Sequence, residues 1–134
     1  MYNGNWTNPV SVDSAPDGYT NFEVHTLDNG DVILLSLTMG RTLGIHRYES
    51  GSWSEVKKIN NVFSFDGVKD GNNLLLMYAT NTETIGVVLD GTNLVTSFNM
   101  LKTVSDIGIT KTNSSDLLGV WRDGTNIYYA VVDL

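Results

Sequence analysis

The chain has 134 residues, 41% of them apolar, enough for one domain with a packed core and too few to expect two. Its formal charge of −7 comes from 15 acids against 8 bases, without the clustered lysine and arginine that track phosphate, which argues against nucleic-acid and anionic-membrane partners. It contains no cysteine, so a disulfide frame, a thiolate nucleophile and a cysteine-bound zinc are all excluded.

Met1 to Trp6 carries neither a basic n-region nor an apolar h-region, and no stretch approaches the roughly 18 continuous apolar residues of a membrane helix. The expectation is a chain without signal peptide or membrane insertion. The compartment stays open, since a piece excised from a secreted parent would read the same way. Trp6 to Val12 predicts a short strand, and Pro9, which cannot donate to a ladder, puts it at an edge. Asp13 to Gly18 is dense in turn residues, and Phe22 to Leu27 resumes an extended pattern.

Asp28-Asn29-Gly30-Asp31 is a tight hairpin signal, followed by the nearly unbroken apolar run Val32 to Leu37. Such a run predicts a strand buried on both faces. Met39-Gly40-Arg41 turns the chain into Thr42 to Glu49, and Ser50-Gly51 turns it again into Trp53 to Ile59. The plan then returns with Phe63 to Val68, the turn Asp70 to Asn73, and the run Leu74 to Ala79. Thr84 to Leu89, the turn Asp90 to Asn93, and Leu94 to Met100 complete that unit. A third unit has Ile107 to Lys111, the turn Asn113 to Asp116, Leu117 to Trp121, the turn Asp123 to Thr125, and Ile127 to Leu134. It stops one strand short. No window of 12 residues carries a capped 3.6-residue apolar stripe, so an all-β chain is expected.

Thr42-Leu43-Gly44-Ile45, Thr84-Ile85-Gly86-Val87 and Asn126-Ile127-Tyr128-Tyr129 start at positions 42, 84 and 126, a period that matches a four-stranded propeller blade. The units run over about 13–59, 60–101 and 102–134. Trp6 to Val12 aligns with Trp53 to Ile59, so the N-terminus reads as the fourth strand that the last unit lacks. This pattern resembles the β-propeller family over essentially the whole chain, through repeat length, turn placement and permuted ends rather than a signature motif. The resemblance implies one domain over 1–134, made of three four-stranded blades with a permuted N-terminal closing strand. Three blades alone would each have to fill about 120° of a ring, which implies half of a six-bladed propeller. A homodimer would close it, each chain's Trp6 strand completing the partner's Ile127 sheet. Short-chain lectins that oligomerise into a ring look similar in assembly. Half of a longer propeller, a designed repeat and an ordinary β-sandwich are the competing architectures.

Signals for chemistry are sparse. His25 and His46 lie on strands without a carboxylate partner at metal-ligand spacing, and no metalloprotease, nucleophile-elbow or phosphate-loop motif occurs. No cofactor and no metal is expected. Asp13, Asp17, Glu83, Asp106 and Asp123 would fall near one rim, where carboxylates about 5 to 9 Å apart could hydrolyse a glycoside. Each also sits in or beside a turn, where Asp bonds its own backbone, and that reading is preferred. Ser14 to Phe22 loosely resembles the Asp-box of sialidase-like propellers, and an arginine triad would need Arg41, Arg47 and Arg122, of which Arg47 sits mid-strand.

Trp6 and Trp53 open equivalent strands and are expected as buried structural residues. Asp17, Tyr19, Arg41, Glu83, Trp121, Arg122 and Asp123 are the candidates for a ligand-binding rim, because turns there combine aromatic faces with planar polar groups. A non-catalytic binding or assembly module that recognises a glycan or cell-surface ligand, lectin-like or of the phage receptor-binding type, is the function these features suit. A protein-gripping scaffold is the second reading, and a fragment of a glycosidase or sialidase-like enzyme the third.

Overall fold

The computed structural model describes residues 4–89, 94–99, 105–113 and 116–132, and its regular elements are all β-strands. β1 (Tyr19–Thr26), β2 (Val32–Thr38), β3 (Leu43–Glu49) and β4 (Ser52–Ile59) form one antiparallel sheet in chain order. β5 (Val62–Asp70), β6 (Asn73–Thr80), β7 (Thr84–Leu89) and β8 (Leu94–Asn99) form a second. β9 (Ser105–Lys111), β10 (Leu117–Asp123) and β11 (Asn126–Val132) form a third, of three strands. The sheets do not close on one another. The hairpins sit where turn chemistry put them, at residues 27–31, 70–73 and 123–126; the expected turns at Asp90–Asn93 and at Ser114-Ser115 lie outside the described residues.

The sheets stack face to face. Ile33, Leu35, Leu37, Leu43 and Ile45 of the first cluster with Leu74, Leu76, Tyr78 and Val87 of the second. On the other side of β6, Met77 and Ala79 pack with Ile107, Ile109 and Trp121 of the third sheet. β6 is therefore buried from Leu74 to Ala79 without a break, as its apolar run requires. β2 departs from that expectation: Leu34 is only half-buried, because the first sheet ends the stack and has one neighbour. Glycine permits the closest approach. A Cβ on Gly67 would stand 2.9 Å from Leu35 Cδ1 and 3.2 Å from His25 Nε2.

The first strands of the three sheets, β1, β5 and β9, run side by side in the same direction, joined by bonds that recur with the repeat. Glu23 Oε1 accepts the Gly67 N–H at 3.1 Å, and Asp66 Oδ2 accepts the Ile109 N–H at 2.7 Å. Lys69 binds Asp28 at 2.5 Å, and Lys111 binds Asp70 in the same way. Because the first strands are aligned, the turns after β2, β6 and β10 share one end of the stack.

Two expectations fail in the single chain. Residues 4–18 contain no strand, and Trp6 is 90% exposed. Extended backbone needs a ladder partner; residues 11–17 line pockets against the first sheet, but residues 6–12 join none of its ladders. Trp53 is not core either: at 36% exposure it stacks on Tyr48, with ring centroids 5.3 Å apart. Its position opposite Tyr48 in the β3–β4 ladder puts both rings on the face turned away from the second sheet.

Candidate functional site

A groove of about 400 Å³ opens at the rim, where the beginnings of β1, β5 and β9 meet the turn after β2. Arg41, Phe63, Met39, Asn21 and Asp106 line it. The Arg41 guanidinium lies 4.6 Å above the centre of the Phe63 ring, a cation–π contact that fixes a flexible side chain. Asp106 carries the negative counterpart and binds Arg122 at 2.7 Å. The groove is thus aromatic at its floor and charged at its edges.

The backbone around it is constrained. Arg41, Asn61 and Asp106 adopt left-handed φ values of 70°, 61° and 52°; Asn and Asp enter this region readily, but it crowds the Cβ of Arg41 and costs about 1–2 kcal/mol there. The surrounding bonds hold Arg41 there: its N–H donates to Thr38 O at 3.0 Å, and its carbonyl accepts from Val62 N at 2.9 Å. The second of these ties the turn after β2 directly to the start of β5.

Of the residues expected at the rim, Arg41 lines this groove, and Arg122 joins it through Asp106. The others lie elsewhere. Asp17 belongs to a second pocket of about 340 Å³ between residues 13–17 and the first sheet, with Asp13, Lys58 and Asn60. Tyr19 donates its hydroxyl to Asp13 Oδ2 at 2.9 Å. Burial pushes the Asp13 carboxyl up, but bonds from Tyr19 and the Ser14 backbone, with Lys58 and His46 nearby, leave it lower than usual. Glu83 sits in the turn after β6, where burial first and the Glu83 charge second raise the Tyr78 hydroxyl. Trp121 packs between the second and third sheets and stacks on Tyr128 at 6.2 Å. Asp123 ends β10, and its side chain lies outside the described residues.

Sequence reasoning missed Phe63, which reads as an ordinary strand residue, and it missed a carboxylate pair. Glu23 and Asp66 meet between β1 and β5, and His25 Nε2 lies 2.9 Å from Glu23 Oε1. Alternation along a strand puts residues 23 and 25 on one face, so that contact was available from spacing. Burial, and then the bond and charge from Glu23, raise Asp66 to about 6. Glu23 is pushed up by burial yet held below its usual range by His25, Asp66 and the Gly67 N–H. The two carboxyls thus titrate against each other, one raised and one lowered. Their oxygens also accept backbone N–H groups of adjacent strands, the arrangement of a joint between sheets. Among the described residues no group of three or more His, Asp and Glu is placed to hold a metal ion.

Compared with known proteins, the chain matches no family model, no curated protein and no solved structure.

Proposed function

We propose that the three sheets are consecutive blades of a β-propeller, half of a six-bladed ring, and that their common rim is a non-catalytic binding surface for a glycan or similar polar cell-surface ligand. The observation that carries the reading is Arg41 held in a left-handed turn above Phe63, with Asp106 in the same backbone state across the groove. Strain kept at an exposed rim, where any looser turn would be cheaper, is characteristic of binding sites. The chemistry suits a sugar: planar charged groups bond hydroxyls, and an aromatic face takes the apolar side of a pyranose ring. The blade reading is supported by the parallel first strands and by sheets packed face to face on both sides of the second.

A glycan array probed with labelled protein tests it. Binding to a defined set of glycans, lost in Arg41→Ala and Phe63→Ala and kept in Glu83→Gln, is the expected result. An empty array, or signals unmoved by both rim substitutions, removes the glycan reading. Turnover in a panel of fluorogenic glycosides would replace it with the enzymatic one.

A further inference from the structure

Among the described residues, stacking leaves two sheet faces without a neighbouring sheet, and both carry exposed apolar side chains. On the first sheet, Phe22 and Val24 are 67% and 55% exposed beside the half-buried Leu34, on the face opposite Ile33 and Leu35. On the third sheet, Ile127, Tyr129 and Val131 are 78%, 72% and 48% exposed beside Leu118 and Val120, on the face opposite Ile107 and Trp121. Patches of this kind mark interaction surfaces. Each end also has a defect in pairing: among the described residues β11 is an edge without the fourth strand that the other two sheets have, and residues 6–12, expected as a strand, join no ladder.

We propose that a second copy of the chain fills both. Two chains associate about a two-fold axis, each seating its third sheet on the other's first sheet, while residues 6–12 of each add to the other's β11. One rotation makes both contacts, so the assembly closes as a dimer and hides the open edge. The proposal rests on the blade reading above.

Three features favour this occupant. Val12 already lies beside Phe22 and Leu34, along a groove of about 590 Å³ on the outward face that awaits further side chains. The ionic links of the internal junctions also stop at the ends: Asp66 and Asp70 are replaced one repeat later by Gly108 and Thr112, and Lys69 is replaced one repeat earlier by Leu27. Neither end thus carries the carboxylate or lysine that the internal junctions use. Finally, the β3–β4 ladder sets Leu43 opposite Ile59 and Ile45 opposite Lys57. Carried over by the Trp53–Trp6 alignment, the register puts Val12 opposite Ile127 and Val10 opposite Tyr129, so apolar side chains meet.

The test uses the whole chain. Sedimentation should give twice the 14.7 kDa of one chain, and Tyr129→Arg should halve that mass while leaving a cooperative all-β unfolding transition. Because the chain has no cysteine, the double variant Val12→Cys, Ile127→Cys reports the register directly, since cross-strand partners satisfy disulfide geometry. Oxidation should yield a covalent dimer, which neither single variant forms at comparable rate. A monomeric mass, or a disulfide confined to one chain, overturns the proposal, and so does a dimer unaffected by Tyr129→Arg that gives no cross-link. Those results would leave glycan binding at Arg41 untouched, just as an empty array would leave the dimer untouched.

Discussion

Replacing Asp66 by Asn should stabilise the protein above pH 6, about half as much at pH 5, and not at all near pH 3. The Asp66 carboxyl accepts the Ile109 N–H at 2.7 Å and the Gly67 N–H at 3.0 Å, and it faces Glu23. Burial and that neighbour raise it to about 6, against roughly 3.9 in an unfolded chain. A raised folded-state value means that the native state binds the proton more tightly. The associated stability is full below the unfolded value and is lost as pH rises through about 6. Two units at 1.36 kcal/mol each would be nearly 3 kcal/mol, but the side chain is only half-buried, and solvent screening reduces this to about 1–2 kcal/mol. An Asn amide keeps the acceptor for Ile109 and can donate to Glu23 without ionising. Urea unfolding at pH 7.5 should therefore give Asp66→Asn a lead of about 1–2 kcal/mol, or about 4–8 °C in Tm, falling to about half of that at pH 5 and to nothing near pH 3. Asp66→Leu should be less stable than wild type at pH 5 and at pH 7.5, since it leaves the Ile109 N–H without its acceptor while the Gly67 N–H keeps Glu23. A lead for Asn that is constant from pH 3 to 7.5, or absent throughout, would refute the reasoning from the raised Asp66 carboxyl.

Three further outcomes follow from the packing. Gly67→Ala should cost about 1–3 kcal/mol by overpacking, whereas Gly119→Ala should cost less, because the atom in its way is the flexible Met77 Cε at 2.9 Å; chemical denaturation of both variants gives the comparison. Asp31→Ala should cost about 3 kcal/mol, because it leaves the buried Arg47 guanidinium only its long 3.8 Å contact with the exposed Glu49, and adding Arg47→Met should restore most of it. Arg41→Ala keeps the left-handed strain and loses the contact with Phe63, so it should unfold at lower urea than Arg41→Gly, by about 1 kcal/mol; neither should bind ligand.

What could be read from the chain, and what could not, divides by the range of the interaction. Turns written in Asn, Asp and Gly, and apolar runs such as Leu74 to Ala79, act within a few residues of themselves, and the strands form where those patterns put them. The 42-residue spacing was also present in charges that the apolar pattern obscured: Asp28 and Asp70, Lys69 and Lys111, pair across successive junctions. The groove was beyond that range. Phe63 becomes part of a site only because Arg41, 22 positions earlier, is folded over it, and no periodicity encodes such a contact. Trp6 and Trp53 mislead for a related reason, since a large aromatic in a strand predicts burial only if some surface covers that face, and here the covering surface is absent from the single chain.

The internal junctions also bear on how the stack holds together. The lysine–aspartate pairs between neighbouring sheets are partly exposed, Lys69 and Asp28 at 45% and 58%, and surface pairs of this kind contribute at most about 1 kcal/mol. The apolar clusters are of another order, since removing Leu35 or Leu76, both fully buried, should cost about 2–5 kcal/mol each. The charges therefore serve alignment more than stability: a sheet that slipped by one residue along its neighbour would keep most of its apolar area but lose Glu23–Gly67, Asp66–Ile109 and both lysine pairs together. Alignment of β1, β5 and β9 is also what brings Arg41, Phe63 and Asp106 to one groove. The geometry of the rim is thus set by polar joints buried between the sheets, while the energy that keeps the sheets together comes from the leucines behind them.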